Sequence, residues 1–198
     1  MSKFSSSRAW LVTATIAAVA IGSTIAAERS SSAMADAATR LLTSLTAEQR
    51  LQASFAFDAD ERMHWHFIPT EMFPRKGLLV RAMNEPQRKL AHNLLKAGLS
   101  QRGYLTATSI MDLETVLKAL EASERAAAPQ PPSNAPLERD PEKYFFSIFG
   151  TPSAKDTWGW RVEGHHVSLH FTVVNGTLVA SSPSFFGTNP AEVREGPK

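Results

Sequence analysis

The chain has 198 residues, 43% of them hydrophobic, with 21 basic and 19 acidic side chains. A chain of this length and hydrophobic content suits one domain with a single core. It contains no cysteine, so hydrophobic burial rather than disulfide bonds must hold the fold. Lipoprotein attachment, which requires a cysteine, is excluded as well.

The N-terminus has the pattern of a secretory signal peptide over residues 1–27. Lys3 and Arg8 form a positive start, and the run that follows, residues 9–27, is uncharged and ends in small residues. Cleavage is expected after Ala27, and a second small-x-small sequence places an alternative cleavage point after Ala35. We therefore predict an exported protein, periplasmic or extracellular. An uncleaved membrane anchor is the alternative, because the uncharged run approaches the roughly 20 residues that span a bilayer.

Cleavage before Glu28 would remove Lys3 and Arg8, which leaves 19 basic residues against 19 acidic ones. The basic character of the whole chain therefore owes much to the signal segment. Nucleic-acid-binding proteins carry a basic patch or stripe, and none is visible here. The sequence predicts no nucleic-acid partner, and membrane contact only through the N-terminal segment if it stays uncleaved.

After the signal, residues 28–39 are interpreted as a flexible leader and residues 40–198 as a single domain. Thr46 and Gln49 fit a capping box, which predicts a helix over residues 47–57 that buries Leu51 and Phe55. Residues 63–68 are β-favouring and end at a proline, so they predict a strand. Residues 78–80 predict another.

The middle of the chain has a helical pattern. Asn84 and Gln87 flank a proline at a helix start, and Gly98 is a suitable end for that helix. A third helix is predicted from about Ser109, because leucines and a valine follow at i, i+3, i+4 and i+7. Residues 126–136 contain four prolines and predict a Pro/Ala-rich loop.

From residue 144 onward the pattern indicates strands. Strands are predicted over residues 144–149, 158–162 and 165–174, the last two with clear alternation. Asn175-Gly176 is a strong hairpin signal, and residues 177–180 supply the returning strand. The predicted fold class is α+β, with helices packed on an antiparallel β-meander.

Several segments, taken together and in order, resemble a known family. They are residues 62–69, 75–77, 99–104, 148–152, 158–166 and 185–191, and the sequence WGWRVEGHH at 158–166 is the most specific of them. The chain resembles the bacterial and fungal family called domain of unknown function 3500, over about residues 36–198. The resemblance implies export and supplies no mechanism. Members usually continue past the last matching segment, so the resemblance also implies a domain that is incomplete at its C-terminus.

Histidines give the sequence its main candidate for chemistry. His64 and His66 lie two apart on a predicted strand, so both side chains would point to one face. Two imidazoles at that spacing can bind one Zn²⁺ or Cu²⁺ ion. Either His165 or His166 from a neighbouring strand could complete a three-histidine site. The alternative is a structural or ligand-contacting cluster in which the ring nitrogens bond to carbonyl groups.

Two charged residues on one strand face are the other candidates. Glu163 could be a fourth metal ligand or a general base, and Arg161 could grip an anion with Glu163 orienting it. A solvated ion pair is the favoured structural interpretation. Ser168 lies between two histidines but lacks the glycine-flanked elbow of a serine nucleophile.

Two functional hypotheses follow from these residues. The first is an exported metal-dependent enzyme of hydrolytic or oxidative type, using His64, His66 and His166 with Glu163 nearby. The second is a non-enzymatic exported module whose tryptophan and histidine cluster contacts a ligand or partner. Convergence of the imidazole nitrogens on one point would distinguish them.

Overall fold

The structure is a computed structural model and describes residues 27–129 and 136–194. The first helix, α1, covers residues 27–44 of this part. The other helices are α2 (Ala47–Ala53), α3 (Glu85–Gly98) and α4 (Gln101–Ala127), with short 3-10 helices at Asp60–Met63 and Val80–Ala82. The strands are β1 (Ser54–Phe55), β2 (Leu78–Leu79), β3 (Phe145–Phe149), β4 (Trp158–Glu163), β5 (Val167–Val174), β6 (Leu178–Ala180) and β7 (Ser184–Phe186).

The described strands form one sheet in the order β1-β3-β4-β5-β6, with β2 on β3 and β7 on β5. Consecutive strands from β3 to β6 pair antiparallel. Strand β1 pairs parallel with β3, so the sheet is mixed where the sequence predicted an antiparallel one. Parallel pairing needs a long connection, and the chain between β1 and β3 includes α3 and α4. The predicted α+β class is confirmed.

One face of the sheet packs on the helices and forms the hydrophobic core. On β4, Trp158, Trp160 and Val162 lie on this face and are fully buried. Trp160 stacks on Phe171 of β5 with ring centroids 4.3 Å apart. The Trp160 indole also donates to the sulfur of Met34 in α1, at 3.4 Å. The tryptophans are therefore core residues.

Helix α1 corrects the prediction of a flexible leader at residues 28–39. The stretch is helical, and Met34, Ala38, Leu41 and Leu45 are buried in the core. These four lie at i, i+4, i+7 and i+11, which is the spacing of one helix face. The stretch is rich in alanine, the best helix former. The helical pattern was present in the sequence, but the serines beside it favoured the interpretation as a flexible leader.

Two further helix predictions were wrong in their limits. Helix α2 has the predicted capping box of Thr46 and Gln49 but ends at Ala53, and Leu51 is 81% exposed. The third helix begins at Gln101 rather than near Ser109, because the Ser100 side chain accepts from the backbone N–H of Gly103. A glycine in the first turn weakens the helical signal by about 1 kcal/mol. By contrast, α3 has the predicted start at Asn84 and end at Gly98.

The other face of the sheet carries a buried set of polar residues, called here the polar layer: Ser147, Arg161, Glu163, Ser168 and His170. Arg161 lies between Ser147 of β3 and His170 of β5, and Glu163 lies opposite Ser168. Arg161 and Glu163 are both 0% exposed. The predicted solvated ion pair is therefore wrong, because a covering segment excludes water from this face.

That covering segment is residues 56–77, and it corrects the predicted strand at 63–68. These residues form a 3-10 turn and irregular backbone. Their carbonyl groups accept hydrogen bonds from buried arginines instead of from a neighbouring strand. Arg161 donates to the carbonyls of Glu61 and His64, and Arg75 donates to those of His66 and Ile68. Arginine side chains thus supply the hydrogen-bond donors that these backbone carbonyl groups require.

The hairpin predicted at Asn175-Gly176 is present. Both residues have positive φ, 49° and 67°, as the two central positions of a type I′ turn require, and three residues, 175–177, connect the paired strand ends Val174 and Leu178. A side chain at Gly176 would meet the carbonyl oxygen of Ala154 at 2.0 Å. The Ser31 hydroxyl of α1 donates to the Gly176 carbonyl at 2.5 Å, so the turn is tied to the first helix.

None of the helices within residues 27–129 and 136–194 combines the length and the apolar character needed to cross a membrane. Residues 1–26 of the predicted signal segment 1–27 lie outside the described residues, as do residues 130–135 of the predicted loop.

Candidate active site at the double histidine

His165 and His166 lie in the turn between β4 and β5, not within a strand as the sequence predicted. The turn comprises residues 164–166 and is closed by a 2.8 Å hydrogen bond from the Gly164 N–H to the Val167 carbonyl. His166 has a φ of 64°, a left-handed conformation that costs of order 1–3 kcal/mol for a residue other than glycine and that clusters at functional sites. The two imidazoles therefore do not point to opposite faces of the sheet, as successive residues of a strand would.

Contacts from three parts of the chain hold the turn in this conformation. The Tyr144 hydroxyl donates to the His165 carbonyl at 2.7 Å, and the Arg75 guanidinium donates to the Gly164 carbonyl at 3.1 Å. The His166 N–H donates to the Phe67 carbonyl at 2.8 Å, and the His166 carbonyl accepts the Gly187 N–H at 2.9 Å. Burial raises the pKa of Tyr144, so its hydroxyl remains a donor to the His165 carbonyl. The turn is therefore a rigid platform for its side chains.

His165 forms a buried pair with a glutamate from α4. Its Nδ1 lies 2.5 Å from Oε1 of Glu114, and the two residues are 8% and 4% exposed. Among the described residues, polar contacts of the ring are found at Nδ1 alone, with Glu114 and with the Arg139 guanidinium. Only the Glu114 carboxylate can accept from the ring, since a guanidinium is a donor. A carboxylate on Nδ1 accepts that N–H and leaves the lone pair at Nε2, the arrangement of an acid–base imidazole.

Arg139 completes the environment of the pair. Its Nη1 lies 3.3 Å from the His165 Nδ1, and its other guanidinium nitrogens donate to Glu121 of α4 at 2.8 and 3.1 Å. Glu121 and Glu114 lie seven residues apart on one side of the same helix. The bond to Glu121 fixes the guanidinium beside the His165–Glu114 pair.

A cavity of about 10 Å³ adjoins the pair and is large enough for one water molecule. Its wall includes both members of the pair, Arg139, Tyr144 and a group of charged residues at the rim. In that rim Lys143 forms ion pairs with Glu71 and Glu138. A hydrogen bond from Arg81 lowers the pKa of Glu138 to about 2. The rim therefore stays charged at neutral pH.

His166 is the second imidazole of the turn. Its ring meets that of His165 edge-on, with centroids 4.2 Å apart, and meets Phe185 at 6.2 Å. Burial, followed by the neighbouring His165, lowers the pKa of His166. Within the described part of the chain, its Nδ1 is buried without a hydrogen-bond partner. His166 is thus a second imidazole beside the pair, and its surroundings favour its neutral form.

His64 and His66, the predicted metal ligands, are not brought together with the double histidine. The side chain of His64 is 63% exposed and lies 3.9 Å from Glu61. His66 accepts the N–H groups of Phe67 and Ile68 at its Nδ1 and packs on Phe73. Over the ranges 27–129 and 136–194, no three or more His, Cys, Asp or Glu residues are grouped so that they could hold a metal ion. The predicted Zn²⁺ or Cu²⁺ site is therefore not supported.

Glu163 and Arg161 belong to the polar layer and serve the covering segment. The Arg161 guanidinium lies 2.9 Å from Glu163 and 2.8 Å from Glu61. Glu163 also accepts the backbone N–H of His66 at 3.0 Å. Burial raises the pKa of Glu163, while the charges of Arg161 and Arg75 oppose that shift. Their contacts make them positioning groups for residues 61–68.

The sequence analysis missed Glu114 and Arg139. On α4 the buried positions are Ala107, Ile110, Met111, Glu114 and Leu117, which share one helix face. An acid among apolar residues on that face was the available signal, since buried carboxylates are rare unless paired. Arg139 follows the proline-rich segment and gave no comparable signal.

Fold and site together define an α+β protein with a buried histidine–glutamate pair at the turn between two central strands. Searches of curated proteins and of solved structures returned no match. Residues 27–198 match the family described as "Protein of unknown function (DUF3500)", and the chain belongs to that family. The resemblance recognised in the sequence is confirmed.

Proposed function

We propose that the double-histidine site is an acid–base centre and that the protein is a hydrolytic enzyme. The observation that carries the proposal is the 2.5 Å contact between His165 and Glu114 beside a one-water cavity. A carboxylate that fixes the tautomer and orientation of an imidazole is the arrangement used for general base catalysis.

The chemistry assigned to the site is water activation. His165 takes a proton from water at Nε2, the water oxygen attacks an acyl carbon, and the same nitrogen returns the proton to the leaving oxygen. Glu114 stabilises the imidazolium that forms between these steps. Arg139, which lines the cavity, stabilises negative charge on the acyl oxygen. No metal ligand set is required for this sequence of steps.

The test is hydrolysis of p-nitrophenyl acetate, a small activated ester that needs no specific pocket. His165→Gln is expected to lower the rate above background by at least about 100-fold, the lower end of general acid–base contributions. Glu114→Gln is expected to lower it by a smaller factor. His92→Gln is the matched control, because His92 bonds to Tyr104 on the helices instead. Equal rates for the wild type and His165→Gln, with both folded by circular dichroism, would refute the proposal.

A ligand-binding module is the second candidate, favoured by aromatic side chains around the same turn. Phe67 stacks on Phe185 at 3.8 Å, Trp65 lies 6.1 Å from Phe67, and His66 lies 4.8 Å from Phe73. All of these rings are only partly buried. If the site binds without catalysis, Trp65→Ala weakens ligand binding and p-nitrophenyl acetate hydrolysis stays at background in every variant.

Export is proposed on the positive start and uncharged run of residues 1–27. The fold favours cleavage after Ala27 over cleavage after Ala35, because the later cut would remove Ser31 and Met34 from the interior. N-terminal sequencing of the mature protein tests this. A mature protein that begins at Glu28 is expected, and intact Met1 in the cytosol would contradict export.

A further inference from the structure

The cavity beside His165 is too small for an acyl substrate. Its volume is about 10 Å³, whereas sites that bind small molecules measure about 300–1,000 Å³. His165 and Glu114 are only 8% and 4% exposed, so the pair has little contact with the surface. Hydrolysis at His165 therefore requires one side of the cavity wall to move.

One side of that wall is fixed. Residues 138–144 line it together with α4 and the double-histidine turn. Arg139 donates to Glu121 of α4 at 2.8 Å, and the Tyr144 hydroxyl donates to the His165 carbonyl at 2.7 Å. This side is therefore bonded both to a long helix and to the turn that carries the histidines.

The opposite side of the wall is a surface turn of the covering segment, residues 69–73. Two N–H groups of the turn donate to the Pro69 carbonyl at 3.0 and 3.2 Å and close it. Buried Arg75 follows the turn and donates to the Ile68 carbonyl before it, at 2.6 Å, and to the Thr70 hydroxyl at 3.0 Å. These bonds anchor the two ends of the turn but do not cross the cavity.

The two sides meet at the Glu71 carboxylate, which forms an ion pair with Lys143 and accepts the backbone N–H of Glu138 at 3.3 Å. In the described parts of the chain, each hydrogen bond or ion pair from the turn to the opposite side ends on this carboxylate. Lys143 also pairs with Glu138, which is held by Arg81. The side chains of Glu71 and Glu138 are 36% and 49% exposed. Ion pairs this exposed are weak and are screened by salt.

We propose that the turn at residues 69–73 is a lid over the double-histidine site and that the Glu71–Lys143 ion pair is its latch. When the latch is closed, the cavity has room for water alone and His165 is shielded. When it opens, residues 69–71 leave the wall, and an acyl group can reach Nε2 of His165 and the guanidinium of Arg139. Lids of this kind admit a substrate and then separate it from bulk water. The inference rests on the acid–base function proposed for His165.

The test measures how fast diethyl pyrocarbonate modifies His165, located by mass spectrometry with peptide fragmentation, and it needs no hydrolytic activity. Glu71→Ala is expected to raise the rate about fivefold, the change that loss of an interaction of about 1 kcal/mol produces. Lys143→Met changes the local charge in the opposite direction and should also raise the rate, because Glu71 and Glu138 then face each other without their cation. A shared increase distinguishes opening from an electrostatic effect on the imidazole. Exposed His64 is the internal reference.

Salt and a matched control assign the change to the latch. About 0.5 M sodium chloride should raise the wild-type rate toward that of Glu71→Ala and leave the variant unchanged. Glu85→Ala, which removes an exposed ion pair with Lys89 on α3, should label as the wild type does. An unchanged rate at His165 in Glu71→Ala, or an equal rise in Glu85→Ala, would overturn the lid.

Hydrolysis of p-nitrophenyl acetate separates the lid from the proposed function. Glu71→Ala should raise kcat/KM by about the same factor as the labelling rate, and Glu71→Ala/His165→Gln should return to background. If labelling responds to the latch but hydrolysis does not depend on His165, the lid stands and the hydrolytic function fails. If hydrolysis depends on His165 but neither labelling nor kcat/KM responds to Glu71→Ala, the function stands and the lid fails.

Discussion

The two faces of the central sheet are built on different principles. The helix-side face consists of large apolar side chains that interlock with α1, α3 and α4, and Trp160 is its centre. The opposite face consists of charged and polar side chains, and irregular backbone covers it. There, Arg161 and Arg75 bond to four backbone carbonyls of residues 61–68. The first face is stabilised by burial, and the second by specific hydrogen bonds that fix one conformation of the covering segment.

The largest loss of stability is expected on the apolar face. Trp160→Ala removes a fully buried indole that contacts Phe171 and Met34, and should lower the free energy of unfolding by about 4 kcal/mol. Urea denaturation measures this. Trp65→Ala is the matched control, since Trp65 is partly exposed, and it should cost less than half as much. Equal losses for the two tryptophans would mean that this face is not the core.

The polar face should respond differently, because its groups depend on one another. Arg161→Met removes the guanidinium from the buried carboxylates of Glu61 and Glu163 and from two carbonyl groups, and should cost about 3 kcal/mol. The double variant Arg161→Met/Glu163→Met should cost at least about 1 kcal/mol less than the sum of the single losses, since neighbouring charges couple. Strictly additive losses in urea denaturation would show that the ion pair does not act as a unit.

The polar face should also make stability depend on pH. Burial, then the charges of Arg161 and Arg62, lowers the pKa of His170 to about 4. The unfolded chain, with a histidine pKa near 6.5, binds more protons between these values, so stability is complete above pH 6.5 and falls as the pH drops toward 4. The expected loss between pH 7 and pH 5 is about 2 kcal/mol.

His170→Phe isolates this contribution. The lowered pKa values of His166 and His92 also reduce stability as the pH falls, whereas the raised pKa of Glu163 has the opposite effect. The pH dependence of wild-type stability therefore combines several groups. The variant should be clearly less sensitive to pH between 7 and 5, measured by urea denaturation at each pH. An unchanged slope would contradict the assignment to His170.

The smallest effect is expected at Leu51, on neither face. The sequence predicted it in the core, but it is 81% exposed on α2. Leu51→Gln should change the free energy of unfolding by less than about 0.5 kcal/mol, as surface substitutions usually do. A loss above about 1.5 kcal/mol in urea denaturation would restore the buried interpretation.

The same contrast explains what the sequence could predict. Periodicity identified β3, β4, β5, the Asn175-Gly176 hairpin and the start of α3, because apolar alternation and cap chemistry are local signals. It could not identify the covering segment, whose backbone is held by Arg161, about 100 residues away along the chain, and by Arg75 at the end of the segment itself. The β-favouring composition of residues 63–68 reflects half-buried packing rather than strand pairing.

The candidate site was predicted in part. The sequence singled out His165 and His166, but strand alternation placed them on opposite faces. The positive φ of His166 and the tertiary partners Glu114 and Arg139 are not local features, so the pairing that defines the site required the fold. The predicted metal ligands His64 and His66 depended on a predicted strand at residues 63–68. That strand does not form, because arginine side chains rather than a neighbouring strand bond to the backbone there.

The central claim is that Glu114 fixes His165 as an acid–base imidazole with its lone pair at Nε2. Long-range ¹H–¹⁵N NMR of the ring nitrogens tests this directly, with the spectrum recorded at a pH where the imidazole is neutral. Glu114→Gln is the companion variant, and the resonance is assigned by its absence in His165→Gln. The account predicts the Nδ1–H tautomer for His165 in the wild type and a shifted ring signal in Glu114→Gln. An Nε2–H tautomer in the wild type, or identical signals in both proteins, would contradict it.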